Sequence, residues 1–144
     1  MSGATIVQNG RAKAFRPLPA AARWRAYHLA LEAYDRGDFF ETHELLEPAW
    51  MGTGDPAERA LHQGLIKLAA AFVHGVRGNP TGIAKNLVGA RDRLAEAAGS
   101  PAAAASGLDI AALVTAVEDR LARLAADPTD ASIDAPALPR TAGP

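Results

Sequence analysis

The chain has 144 residues, no cysteine, 49% apolar residues and a formal net charge of −1. That length fits one domain with a self-standing core, since a chain of this size removes about 68–70% of its unfolded surface from water. The missing cysteines exclude disulfides, thiolate catalysis, iron–sulfur clusters and cysteine-ligated zinc, and the near-zero charge argues against a dedicated nucleic-acid binder. Met1 to Gly10 show no apolar run behind a basic start, and no stretch reaches the roughly 18–20 apolar residues of a membrane span. The expected location is the cytoplasm, with no membrane partner.

In chain order, residues 1–19 read as a flexible basic arm ending in "RPLP", where two prolines disfavour helix. Trp24, Tyr27, Leu31 and Tyr34 recur at helical spacing, which predicts a first helix over 20–36, with Gly37 as its C-cap. Asp38, followed three residues later by Glu41, predicts the start of a second helix over 38–51. Asp55, Pro56 and Glu58 announce a third over 56–77. Asn79 and Pro80 open a fourth over 80–98, and "AAGSPAAAASG" reads as a low-complexity linker. A fifth over 109–126 carries Ile110, Leu113, Val117, Leu121 and Leu124 on one stripe. The proline-rich segment 127–144 reads as a disordered tail. Nothing alternates with period two. The expected fold is all-α: a single-domain bundle of about five helices over 20–126, with antiparallel neighbours and flexible termini.

Charge is unevenly placed. Residues 1–31 hold Arg11, Lys13, Arg16, Arg23 and Arg25 and no acid, whereas 32–58 hold eight acids against Arg36 alone. The two segments are expected to face each other within the fold or across a homodimer. A basic arm for an acidic partner such as RNA is the sharper reading, weakened by the lack of interleaved aromatics.

The second helix concentrates the chemistry. Its "ETHELLEPAW" places His43 and Glu47 at i and i+4 on the shoulder of the face defined by Phe39, Leu46 and Trp50, with Glu44 and Glu41 progressively further out. Pro48 supplies no N–H, so the Glu44 carbonyl loses its helical donor. The third helix carries Gln63, Lys67 and His74 on one stripe, expected to meet His43, Glu44 and Glu47 across the helix pair. His28 and His62 read as surface or helix-boundary residues. Gly64, Gly75 and Gly89 lie inside helices, where close helix approach is their expected purpose.

Three readings of this cluster stay open. One is a satisfied polar network that fixes the packing of the bundle, in which Glu47→Ala costs several kcal/mol. A second is a divalent metal site from His43, Glu44, Glu47 and His74, whose mixed donors suit zinc, iron or manganese, although "ETHE" matches neither the His-Glu-x-x-His nor the Glu-x-x-His pattern. A third is a small-molecule pocket in which His43 or Glu47 moves a proton beside Trp50.

"YDRGDFFETHELLEPAW" and "HQGLIKLAAAFVHGVRGNPTGIAKNLVGARDRL" resemble the family known as domain of unknown function 309, over about residues 24–98. The residues that carry the resemblance are Gly37, Phe39, Phe40, Glu41, His43, Glu44, Glu47 and Trp50, then Gln63, Gly64, His74, Arg77, Gly78 and Asn79. It implies a small prokaryotic all-α protein and no established activity. The expected function is a structural or interaction domain built on the His/Glu seam, with a second copy, another protein or a small molecule as partner. The alternative is a metal- or small-molecule-binding protein, up to a metal-assisted hydrolase, using His43, Glu44, Glu47 and His74. No cofactor beyond a divalent metal is suggested, and whether the chain is an enzyme stays open. The candidate functional cluster is Glu41, His43, Glu44, Glu47, Trp50, Gln63 and His74.

Overall fold

The computed structural model describes residues 5–8, 11–14, 16–76, 80–130 and 132–141. Its helices are α1 (Ala20–Asp35), α2 (Phe39–Met51), α3 (Pro56–Val76), α4 (Pro80–Ala97), α5 (Pro101–Ala105) and α6 (Ile110–Ala126). Ahead of them two short strands, β1 (Thr5–Gln8) and β2 (Arg11–Ala14), pair antiparallel with Thr5 opposite Ala14 and Gln8 opposite Arg11. Among the described residues no helix is long and apolar enough to cross a membrane.

Local chemistry sets the helix ends. Gly37, at φ +80°, reverses the chain after α1, and the N–H groups of Gly37 and Asp38 donate to the carbonyls of Tyr34 and Ala33. This paired closure needs a left-handed residue, which glycine adopts without a Cβ clash. Asp38 then accepts from the Glu41 N–H at 3.1 Å, and Asp55 from the Glu58 N–H at 2.8 Å. Each satisfies a backbone donor that the first helical turn leaves open. The cap expected of Asn79 lies outside the described residues.

The helices share one core. Tyr27, Leu31, Leu46, Trp50, Leu61, Leu65, Leu68, Leu87, Leu94, Leu113 and Val117 are buried in it. Alanine-rich stripes allow close approach, and α3 against α4 is the most extensive pairing. At Gly64 a Cβ would lie 2.7 Å from Leu94 Cγ and 3.1 Å from the Leu94 backbone nitrogen. Any side chain there would push α4 away, so the glycine sets the spacing of this pair.

Three expectations about the connecting segments change. The arm is not uniformly loose: β1 and β2 flank Asn9-Gly10, a dipeptide suited to two-residue hairpin turns. Arg16 and Leu18 then donate backbone hydrogen bonds at 3.0 Å to the carbonyls of Met51 and Gly52, tying the segment to the end of α2. The expected linker contains α5, because Ser100 caps it through the Ala103 N–H and Pro101 sits in its first turn.

The expected disordered tail is also ordered over 127–130 and 132–141. Tyr34 Oη donates to the Pro136 carbonyl at 2.7 Å, the Asp109 N–H to the Pro139 carbonyl at 2.8 Å, and the Thr141 N–H to the Gly107 carbonyl at 2.9 Å. Leu138 enters the core, and Arg140 pairs with Asp35 at 2.8 Å. Proline lacks an N–H yet keeps its carbonyl, so an extended proline-bearing segment can still dock by accepting bonds.

Candidate functional site

The row singled out by the sequence lies on the outer side of α2. His43 bridges two carboxylates: Nδ1 is 3.6 Å from Glu44 Oε1 and Nε2 is 3.8 Å from Glu47 Oε2. These are ion-pair distances, longer than good hydrogen bonds. The side chains of His43, Glu44 and Glu47 are 34%, 55% and 35% exposed, so the row is wet rather than sealed. Glu41 is half-buried at the start of the helix, while Phe40 is 64% exposed, the most solvent-facing of the large apolar side chains described.

Two hollows adjoin this row. One, of about 560 Å³, is lined by Arg16, Pro17, Leu18, Glu44, Glu47, Pro48 and Met51. The other, of about 190 Å³, is lined by Phe40, His43, Glu44, Ala70 and Val73. Glu44 borders both. Together they make a discontinuous groove along α2 with apolar walls and a carboxylate edge. Pro48 lies inside α2 on the wall of the larger hollow and supplies no N–H to the Glu44 carbonyl.

The expected cluster is not assembled as one unit. Trp50 turns into the core, 1% exposed, with Nε1 lacking a hydrogen-bond partner. Lys67 is directed across α4, where its stem passes the position a Cβ on Gly89 would take, with Cδ 2.6 Å from that point. Gln63 is half-buried, and among the described residues no hydrogen bond or ion pair joins it or Lys67 to His43 or Glu44. The His74 side chain lies outside the described residues. Among the residues described, no group of three or more histidine or carboxylate side chains is placed to hold a metal ion.

The sealed polar network of this fold lies elsewhere. Arg23 of α1 grips Glu58 of α3 with Nε to Oε2 at 2.6 Å and Nη2 to Oε1 at 3.1 Å, and its Nη1 donates to the Leu18 carbonyl. His62 Nε2 meets Glu58 Oε2 at 3.1 Å. His62 is fully buried, with the rings of Trp24 and Tyr27 each 5.8 Å away, and its Nδ1 has no partner. This corrects the reading of His62 as a surface residue. Burial pushes the Glu58 carboxyl up, but hydrogen bonds and charge from His62 and Arg23 outweigh it and hold it at about 2. Arg23 and Glu58 also join the basic and acidic halves of the sequence within the fold.

The signal for this network was present. Glu58 and His62 are i and i+4 on a helix whose other positions are largely apolar, and Arg23 adjoins the aromatic stripe of α1. Their geometry ties segment 16–18, α1 and α3 together.

These features define a class: an all-α bundle, closed by a buried ionic knot and carrying an open groove along its second helix. Residues 27–86, which run from the middle of α1 into α4, match the family described as a domain of unknown function (DUF309). No curated protein and no solved structure matches the chain.

Proposed function

We propose that the protein is an interaction domain, and that the outer side of α2 receives a short basic amphipathic segment of another protein. The observation that carries this reading is Phe40, 64% exposed at the edge of a hollow that shares Glu44 with its larger neighbour. An apolar ring presented to water beside concave apolar surface is a docking feature. The Glu41, Glu44 and Glu47 carboxylates set the chemistry of the partner: lysine or arginine between apolar side chains.

A labelled leucine–lysine amphipathic peptide tests this by fluorescence anisotropy, with an all-lysine peptide as the control for charge alone. The leucine–lysine peptide is expected to bind, and Phe40→Ala and Glu44→Gln each to weaken it about tenfold, with helical circular dichroism unchanged. Binding indifferent to Phe40→Ala, or equal binding of the all-lysine peptide, overturns the proposal. A concentration-dependent dimer abolished by Phe40→Ala would replace the foreign segment with a second copy of this chain.

The larger hollow supports one second reading. At about 560 Å³ it lies within the range of small-molecule sites, and its lining of Glu44 and Glu47 against Arg16 leaves one negative charge in excess, which favours a cationic or zwitterionic ligand. Phe40 does not line it, so a ligand held there is insensitive to Phe40→Ala and sensitive to Glu47→Gln.

A further inference from the structure

A second feature lies where α3 meets α4. Lys85, Gly89 and Arg93 follow each other at intervals of four along α4, which makes one ridge of the helix. Lys67, from α3, lies across the middle of that ridge. Its Cδ, Cε and Nζ are 2.6, 3.2 and 3.6 Å from the point where a Gly89 Cβ would stand. Glycine therefore provides the notch in which the lysine stem is seated, and its ammonium lies beside Gly89, midway along a ridge whose neighbouring positions carry Lys85 and Arg93.

Three cations in so small an area repel one another unless an anion lies among them. The protein supplies little to offset this. Lys67 and Lys85 form no hydrogen bond or ion pair among the described residues. Of the carboxylates along α4, Asp92 pairs with Arg91 at 3.1 Å, and Glu96 offsets part of the Arg93 charge at 3.0 Å. Arg93 and Glu96 are 38% and 52% exposed, so that pair is weak, and a guanidinium has five donors of which one carboxylate uses few. Burial, and then the charges of Arg93 and Lys85, hold the Lys67 ammonium below its ordinary value. The whole chain carries a net charge of −1, so this is a local excess rather than a basic protein.

We propose that Lys67, Lys85 and Arg93 form a binding site for a phosphoryl dianion, supplied either as free phosphate or as the phosphomonoester end of a small metabolite. A dianion matches the surplus charge better than a carboxylate does. Two lysine point charges and an arginine fork are the groups that hold tetrahedral oxyanions.

The test is a titration of the full chain with inorganic phosphate at constant ionic strength, followed by amide and lysine-ammonium NMR. Saturable shifts at residues of α3 and α4 around Lys67 and Gly89 are expected, with a dissociation constant on the order of 1 mM. The Lys67 titration should move upward as phosphate binds, an effect that a purely structural lysine would not show. Lys67→Gln and Lys85→Gln should each weaken binding about tenfold, and the exposed Lys85 position tolerates change without unfolding. Phenyl phosphate distinguishes the sources: affinity about tenfold above phosphate identifies a phosphomonoester, and equal affinity identifies the free ion. Absence of saturable binding overturns the proposal. So does binding retained in either variant, or binding only to an oligonucleotide with steep salt dependence.

Discussion

The molecule contains the same pair of residue types twice, with opposite outcomes. Glu58 and His62 on α3, and His43 and Glu47 on α2, are both histidine–glutamate pairs four residues apart. The first is sealed, at 7% and 0% exposure, with oxygen and nitrogen 3.1 Å apart. The second is 35% and 34% exposed and 3.8 Å apart. Spacing along a helix brings two side chains together. It does not decide whether they are held. Arg23, Trp24 and Tyr27 decide that for Glu58 by excluding water and adding a bidentate partner. His43 and Glu47 are each about a third exposed beside a groove, so water reaches this pair as it does not reach Glu58 and His62.

The largest expected consequence is in stability. Glu58→Ala removes the carboxylate that Arg23 and His62 share, leaving a half-buried guanidinium and a buried imidazole without it. A loss of about 3–5 kcal/mol is expected, read from chemical denaturation. A loss below about 1 kcal/mol, the range of exposed pairs, would erase the contrast between the two sites.

Acid should sharpen the same contrast. The Glu58 carboxyl is held at about 2, below its ordinary 4.5. A folded-state value below the unfolded one means stabilisation that is complete above pH 4.5 and lost as pH falls toward 2. The linked term is about 3 kcal/mol, an upper figure for one group. Denaturation midpoints between pH 5 and pH 2 should fall more steeply for the wild type than for Glu58→Gln, which has no carboxylate to protonate. Equal slopes would place the acid sensitivity elsewhere.

Much of the fold was legible because its signals are local. Helical spacing in Trp24–Tyr27–Leu31–Tyr34, the caps at Asp38 and Asp55, and Gly37 mark the helices. What was not legible depends on which neighbour a stripe meets. Gln63 and Lys67 share a stripe on α3, yet Lys67 is seated against Gly89 of α4, because periodicity gives the stripe and not the helix facing it. His62 sat among apolar residues, and the partner that explains its burial is 39 positions away in Arg23, linked through Glu58. The hairpin at the N-terminus was passed over despite Asn9-Gly10 because strands of four residues show too little alternation.

The C-terminal segment was misread through its prolines, and a modest effect tests its docking. Tyr34 is buried, and burial raises its hydroxyl above the ordinary tyrosine range, so it remains a donor to the Pro136 carbonyl. Tyr34→Phe removes one hydrogen bond and leaves that carbonyl without the donor. About 1 kcal/mol should be lost. Amide exchange at Leu138, Arg140 and Thr141 should rise more than exchange in the interior of α3. A uniform rise instead would mean that the segment unfolds only with the whole bundle.

The smallest effect completes the comparison. In the exposed pair each side chain keeps part of its hydration, and a long ion pair in water gains little beyond the entropy lost in holding it. Glu47→Ala should therefore change stability by about 1 kcal/mol or less, and a double-mutant cycle with His43→Ala should give a coupling of about 0.3–0.5 kcal/mol. If Glu47→Ala matched Glu58→Ala, the row on α2 would be a structural seam, and the groove beside it would lose its claim as a docking surface. If Glu47→Ala leaves the melt unchanged while removing binding of a basic amphipathic peptide, the carboxylate acts on partners rather than on the fold. The buried pair and the exposed pair then separate the two roles of one sequence pattern, with Arg23 as the physical difference between them.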